Sequence, residues 1–410
     1  MDELSLYENI LSITLPWSVE HVRLGDDDRK VHVYVEYDRE SMLKCPLCDS
    51  ACTRYDTRER TWRHLDTCQY QTLVHAAIPR ANCQKHGALQ IDVPWADKNS
   101  RFTILFEAHA IDWLKETSIN AVARRLKISW NAIDGIMSRA VKRGLAVRSQ
   151  IDLQNLAVDE VCSKKGHEYV TVVSNDAGQV LDIAPERTKA SLLSFYNSLS
   201  PSELGRIETV SMDMCQAYIY ATKEALPDWE RRICFDKFHI AMDLNKAVDT
   251  IRKYEMREVT ADYRRPLHLS RFSWLRSSQT LRQKHKQDIA TLSRVAKKTA
   301  RAWAIRQYAM QLWDYKSRYW AEQAWKRWYG WAIRSRLQPM KSAATSIKKN
   351  LWGIINAIVH QKNNARAESI NSRIKILKVR ARGYKNKERF RTVILFNLGG
   401  LDLYPKNLST

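Results

Sequence analysis

Apolar and polar positions alternate with a period of two early in the chain, then with a helical period, and then with period two again. VHVYVEYD at 31–38 reads as a strand, with the acidic GDDDRK before it as its turn. Residues 101–146 switch to helical spacing. In SINAVARRLKISWNAIDGIMSRAVKRG, Ser118 and Ser129 stand where N-caps are expected, and Ala123 is small enough for a close helix crossing. Ile133 and Ile136 point inward from the second helix, and the short turn LKIS carries Lys127 where glycine is usual. That is the layout of a helix-turn-helix whose reader runs from Trp130 to Lys142, with Trp130, Asn131, Arg139 and Lys142 as candidate DNA contacts.

From Asp152 the texture returns to short apolar runs. LAVDEV, YVTVVS and QVLDIA are separated by turns at KKGH and NDAG. A helix over Thr188–Leu199, the strand IETVSMD, the helix QAYIYATKEAL and the strand RRICFD follow. The order β-β-β-α-β-α-β is that of a ribonuclease-H-like α/β domain. After His239 about a hundred residues are helical, charged and rich in tryptophan. Aromatic residues at this spacing, Trp303, Trp313, Trp320, Trp325, Trp328 and Trp331, are expected mainly in a core, with stacking on an unpaired base as the alternative.

Charge changes this picture. The 410 residues carry 67 Lys and Arg against 45 Asp and Glu, a net +22. Residues 1–100 hold 12 basic and 16 acidic residues, so the excess lies wholly in the remainder. It peaks at 341–391, with fourteen basic residues against Glu368 and Glu388. Apolar residues interleave there at helical spacing, which points to a folded basic face for a polyanion, double-stranded DNA first. Arg373, Lys375, Lys378, Arg380 and Arg382 are its candidate phosphate contacts, joined by Arg54, Arg58, Arg60 and Arg63 from a strand-like segment near the N-terminus. No apolar run approaches the length of a membrane span and the N-terminus MDELSLYENI is acidic, so a cytoplasmic protein is expected, nucleoid-associated when bound to DNA.

Eight cysteines, unevenly spaced with five of them between 45 and 83, suit a metal site better than a disulfide framework. Cys45 and Cys48 in KCPLCDS, with Cys83 and His86 in NCQKHG, share a two-residue spacing and are expected to hold one structural Zn2+. Cys52, Cys68 and His64 are rivals or plain buried residues.

The acids carry the chemistry. Asp159 sits mid-strand in LAVDEV, where a carboxylate is costly to bury unless paired or bound to metal. Asp213 ends IETVSMD, and in the expected fold the first and fourth strands lie side by side. Glu368 flanks the inner face of a helix built from Ala367, Ile370, Ile374 and Leu377. Three converging carboxylates stay ionised together only around cations, so two Mg2+ are expected. Glu160 and Asp182 are rivals to Asp159. Asp176 belongs to a turn where aspartate is ordinary.

The zinc knuckle with VPWADKNSRFT, the helix-turn-helix, VDEV, SMDMCQAY, FDKFHI and NNARAESINSRIK followed by RARGYKNKERFR together resemble the bacterial insertion-sequence DDE transposases of the ISL-three group. The resemblance implies Asp159, Asp213 and Glu368 as catalytic acids. It also implies DNA cleavage at the element's inverted repeats and joining of 3′ ends to a target. It tips Asp236 and His239 in FDKFHI toward auxiliary active-site roles, and it implies that the tryptophan-rich helices are an all-α insertion.

Five segments are expected: 1–98, N-terminal strands and zinc module; 99–150, helix-turn-helix; 151–240, first catalytic part; 241–350, insertion; and 351–410, last catalytic part with the basic helix. Two ends must be brought together, so a homodimer is expected. The rivals are a non-catalytic zinc and helix-turn-helix regulator, and a nuclease of the same fold that never rejoins DNA.

Overall fold

In the computed structural model the described residues are 2–25, 29–148, 151–164, 168–362 and 365–406. The turns expected at GDDDRK and KKGH lie largely outside them. The chain divides into two compact units, Met1–Ser149 with Leu401–Thr410, and Gln150–Gly400. Residues 401–406, expected within the last catalytic part, belong instead to the first unit, because their side chains and carbonyls bond to the helices there.

The first unit opens with a helix, α1 (Glu3–Leu11), which the strand-like reading of the N-terminus did not anticipate. It continues with β1 (Trp17–Leu24), β2 (Lys30–Tyr37), β3 (Leu43–Lys44), β4 (Ala51–Arg63), β5 (Gln71–Cys83) and β6 (Gly87–Gln90). These form one sheet in the order β1-β2-β5-β4-β3, with β6 beside β5. Its inner face is closed by Trp17, Trp62 and Trp95, packed edge to face at 5.0 and 5.5 Å. Burying an aromatic ring contributes roughly 1.5–3 kcal/mol, so this triad is a principal anchor of a sheet rich in charge on its other face.

Three helices follow: α2 (Ile104–Glu116), α3 (Ile119–Leu126) and α4 (Trp130–Ala146). Ser118 accepts from the Ala121 N–H and Ser129 from the Ala132 N–H, the capping expected from sequence, at about 1 kcal/mol each. Lys127 takes the left-handed conformation at φ 53°, doing what a glycine does in such turns, and the Ile128 N–H returns to the Ala123 carbonyl to close the helix. Val122, Ala123, Ile133, Ile136 and Met137 are buried between the helices.

The second unit holds β7 (Asn155–Lys164), β8 (Glu168–Asn175), β9 (Val180–Pro185), α5 (Lys189–Asn197), α6 (Pro201–Gly205), β10 (Thr209–Met212), α7 (Gln216–Ala225), α8 (Trp229–Arg232) and β11 (Ile233–Phe235). The sheet order is β11-β10-β7-β8-β9. The pairs β7·β8 and β8·β9 are antiparallel, while β10 runs parallel to both β7 and β11.

Helices fill the rest: α9 (Lys237–Glu258), α10 (Ala261–Leu269), α11 (Arg271–Leu275), α12 (Gln283–Val295), α13 (Lys297–Gln311), α14 (Arg318–Arg334), α15 (Gln338–Lys349), α16 (Leu351–Val359), α17 (Ala365–Arg380) and α18 (Lys387–Leu398). Helix α16 lies directly on β11, since a Cβ at Gly353 would fall 2.5 Å from the Phe235 ring. The apolar core is continuous from the sheet, through Val158 and Val210, into the helices around Trp274, Trp325 and Trp328. Trp325 and Trp328 are therefore core, and Trp303 and Trp313 are half-buried. Trp320 and Trp331 reach the surface.

Candidate active site and metal centre

The parallel register sets the acids level. Ser211 faces Ala157 across β10 and β7, so Asp213, two residues on, stands level with Asp159. Phe235 faces Met212, which brings Asp236 level with Asp213 on the far side. Helix α17 runs along β7: Asn371 Nδ2 donates to Asp159 Oδ2 at 2.7 Å, and Lys378 Nζ to the Cys162 carbonyl at 2.9 Å. A cleft of about 660 Å3 opens beside Glu160, Asn371, Lys375, Lys378 and Arg382.

Around these acids the structure assembles more than the sequence reading named. The Arg187 guanidinium bridges Asp213 at 2.5 Å and Glu160 at 3.1 Å. His239 Nδ1 lies 3.2 Å from Asp236 Oδ2, while Asp236 Oδ1 caps α9 through the Phe238 N–H. Burial pushes the Asp159 carboxyl above its ordinary range, with the Asp213 and Asp236 charges adding to the push. Burial likewise takes Glu160 up to about 7. The hydrogen bond to Asp236 holds His239 above its usual value, and the nearby aspartates reinforce it. Asp159, Asp213, Asp236 and His239 thus lie close enough for their charges to act on one another.

Glu368 stands apart. It is exposed near the start of α17, and among the described residues no hydrogen bond or ion pair joins its carboxylate to the aspartates; its carbonyl accepts from Ser372. It lies one turn before Asn371, and positions three apart share a helix face, so its helix reaches the cluster while its own side chain remains in solvent. Of the rivals, Glu160 is in the site. Asp182 pairs instead with Arg391 of α18 at 3.0 Å, and the turn residue Asp176 with Lys362 at 2.7 Å.

Asn371, Arg187 and Glu160 were not assigned roles from sequence. For Asn371 a signal existed, since it shares a helix face with Glu368. For Arg187 there was none, because it sits in the loop after β9 and only the fold brings it to β10.

The residues fit a hard divalent cation on observations independent of charge alone. The donor set is all oxygen, and among the described residues neither Glu160 Oε2 nor Asn371 Oδ1, both buried, has a hydrogen-bond partner, an arrangement that costs free energy unless something else occupies them.

The zinc ligands are brought together by a hairpin. Strands β4 and β5 are thirteen residues each and pair antiparallel, Thr53 opposite Asn82 and Arg63 opposite Leu73. The long gap between the two ligand pairs is simply the two arms of that hairpin. Cys45, Cys48, Cys83 and His86 present ligand atoms all within 4.8 Å of one another. Bonds from Ser50 draw the Cys48 thiol down to about 6, toward the thiolate a metal requires. Cys52 and Cys68 lie outside this cluster. His64 is buried against Thr103 at 2.9 Å, and burial lowers it to about 4.

The expected DNA contacts divide. Arg58, Asn131, Lys142, Arg373, Lys375, Arg380 and Arg382 are exposed. Arg54 is exposed and lies over Tyr37, Trp130 is half-buried, and Lys378 is half-buried on Cys162. Arg60 is half-buried, donating to the Ser100 carbonyl over the Trp62 ring. Two are corrected. Arg63 is only 9% exposed, held by Asp66 and the His64 and Thr72 carbonyls. Arg139 pairs with the buried carboxylate of Glu107, so its charge serves the interior of the three-helix unit.

Comparison with known proteins fits this geometry. A family model described as a transposase of the ISL3 type matches residues 156–394, more than half of the chain. The chain belongs to the ISL3 family of transposases. The helix-turn-helix of that family matches residues 91–141, and a zinc finger of the IS204/IS1001/IS1096/IS1165 transposases matches 43–86, the segment that contains the Cys3His cluster. This ISL3-family chain is 28% identical over 381 residues to the transposase for insertion sequence element IS1001 of Bordetella parapertussis, covering 91% of the chain and 93% of that protein. It is 24% identical over 432 residues to the transposase for IS1557 of Mycobacterium tuberculosis, covering 98% and 96%. The zinc-finger match and the four-residue cluster together support a structural zinc. In this ISL3 chain no described helix is long and apolar enough to cross a membrane.

Proposed function

We propose that this transposase binds the terminal inverted repeats of its own insertion sequence, cleaves the DNA ends and joins their 3′ ends to target DNA. The catalytic domain is read as ribonuclease-H-like from its sheet order, with α9–α15 as an all-α insertion ahead of the final helices. The observation that carries the reading is the level placement of Asp159 and Asp213 at neighbouring parallel strands, with α17 bonded to Asp159 through Asn371.

Asp159, Asp213 and Glu368 would hold two Mg2+. Bound there, the ions supply activation of a water or 3′-OH and charge stabilisation at the leaving oxygen. The chain's own residues do the rest. Asn371 fixes the Asp159 carboxylate. Arg187 orients Asp213 and keeps it from repelling Glu160. His239, its imidazole held by Asp236 at 3.2 Å, would act as an auxiliary donor to the scissile phosphate beside the aspartates. Glu368 would supply the third carboxylate for those cations from α17, the helix bonded to Asp159 through Asn371. Exposed cations of α17 grip the backbone and α4 reads bases. The active protein is read as a homodimer that holds two ends, acting in the cytoplasm on nucleoid DNA. The zinc and helix-turn-helix parts alone would equally suit a regulator, but a regulator gives no reason for the aspartates to be assembled with buried, unpartnered oxygens beside them.

The binding half of this reading is tested by a salt series on the element's end and a scrambled duplex. Neutralising Arg373 and Lys375 is expected to flatten the slope of log affinity against log salt by about 2, at roughly 0.9 per phosphate contact, without changing which sequence is preferred. Substituting Asn131 and Lys142 is expected to change the preference itself. An unchanged slope in the first variant turns the face of α17 away from DNA.

A further inference from the structure

The last described residues of the chain fold back into the three-helix unit. Leu403 is buried, only 3% exposed. The Tyr404 hydroxyl donates to Asp112 Oδ1 at 2.5 Å and accepts from Lys115 Nζ at 2.7 Å, both on α2, and the Lys115 ammonium also lies 4.4 Å from the centre of the Tyr404 ring. On α4, Arg143 donates to the Leu403 carbonyl at 3.0 Å while its other nitrogen pairs with Asp97 at 2.5 Å. Gly144, on the next position of α4, is buried where a Cβ would lie 2.7 Å from Leu401 Cβ and 2.8 Å from the Asp402 carbonyl oxygen. A glycine inside a helix costs about 1 kcal/mol of helix propensity relative to alanine, and here it opens the seat for this segment.

From these contacts we infer that residues 401–406 are a working part of the DNA-reading module: they clamp the C-terminal half of α4 to the C-terminal half of α2 and so fix the angle at which the N-terminal half of α4 enters the groove. The inference rests on reading α4 as the base-contacting helix. A reader helix discriminates through side chains that must meet base edges within hydrogen-bonding distance, whereas phosphate contacts tolerate a swing of the helix. The strap therefore acts on specificity more than on total affinity. The segment lies some 250 residues beyond the helices it completes, so an N-terminal fragment containing the whole helix-turn-helix sequence carries an unclamped reader.

The test uses the full chain, a chain stopped after Gly400, and two full-length variants. Gly144→Val fills the seat while the segment remains, and Tyr404→Phe removes the hydroxyl bridge but keeps the ring. Hydrogen exchange of backbone amides in 104–146 is expected to accelerate about tenfold or more in the stopped chain and in Gly144→Val, with 155–175 unchanged. The ratio of affinities for the element's end and a scrambled duplex is expected to fall about tenfold in both, with affinity for the scrambled duplex within about twofold. Tyr404→Phe is expected to give a smaller fall, about twofold to threefold. Unchanged exchange overturns the clamp whatever the DNA results. Faster exchange with an unchanged ratio reduces the segment to a stabilising role and overturns the claim on specificity. A full chain that shows no preference between the duplexes contradicts instead the reading of α4, and exchange still decides the clamp.

Discussion

Asp159→Ala, Asp213→Ala and Glu368→Ala are each expected to lower strand cleavage by a factor on the order of 10³ or more, while affinity for the end DNA stays within about twofold. The size follows from the proposed role of each acid: a lost metal ligand would remove charge stabilisation of several kcal/mol from the transition state, and each 1.36 kcal/mol is tenfold in rate. Binding is expected to be spared because, on the proposed reading, these carboxylates would hold cations and not phosphates. The structure adds an internal ordering. Asn371→Ala is expected to act in the same direction but less strongly, because it positions Asp159 through one hydrogen bond and is not itself one of the three acids. Gel assays of cleavage and binding on the same DNA check both halves. Wild-type cleavage by any of the three alanine variants removes that residue from the site.

The second large effect is expected at the zinc. Cys45→Ser or Cys83→Ser should release the metal and unfold the β3–β6 end of the first sheet, because binding free energy of a structural zinc, roughly 10–16 kcal/mol in small zinc modules, is folding free energy. The loss is expected to be local at first. The Trp17, Trp62 and Trp95 packing joins β1, the far end of β4 and the segment after β6, and holds the remainder of the sheet together. End recognition should weaken as the ordered surface around Arg54 and Arg58 is lost. Metal analysis of the purified wild type should return one zinc per chain, and circular dichroism of the variants should show lost strand signal. A wild type without zinc, or variants folded as the wild type, contradicts the assignment. Cys52→Ser and Cys68→Ser are the controls, expected to keep the metal, since neither lies with the four clustered ligands.

How far these sites could be read from sequence depends on the kind of signal each residue leaves. Caps and period are local, so Ser118, Ser129 and the three helices were legible, as was Lys127 as the unusual residue of its turn. The zinc set was legible by spacing, although the gap between its pairs made sense only once β4 and β5 were seen as the arms of one hairpin. The juxtaposition of Asp159 and Asp213 was legible because Asp159 is a carboxylate amid apolar strand residues and the expected fold sets the end of IETVSMD beside that strand. Arg187 was not, since a loop arginine looks like any surface cation until β9 delivers it to β10.

The two misplaced arginines show the converse. Arg63 and Arg139 look like phosphate contacts in a basic segment, yet each satisfies a buried group, and a buried Glu107 left without its cation would be costly. Residues 401–406 left no signal at all, because a strap of six residues has no period and its partners lie in a distant part of the chain. Glu368 is the instructive intermediate. Its helix and the buried Ala367, Ile370 and Ile374 beside it match the reading, while its own side chain is in solvent and does not meet the aspartates.

Strand joining is the measurement that bears most directly on the central claim. Purified protein is incubated in Mg2+ with a duplex ending in the element's 3′ terminus and with a plasmid target, and the products are sequenced across the junctions. The account predicts plasmids covalently joined to the 3′ end of that duplex, absent when Mg2+ is withheld and absent with Asp159→Ala. Cleaved duplex with no joined product would make the chain a nuclease, and bound but uncut duplex at every Mg2+ concentration would make it a regulator; either result contradicts the account.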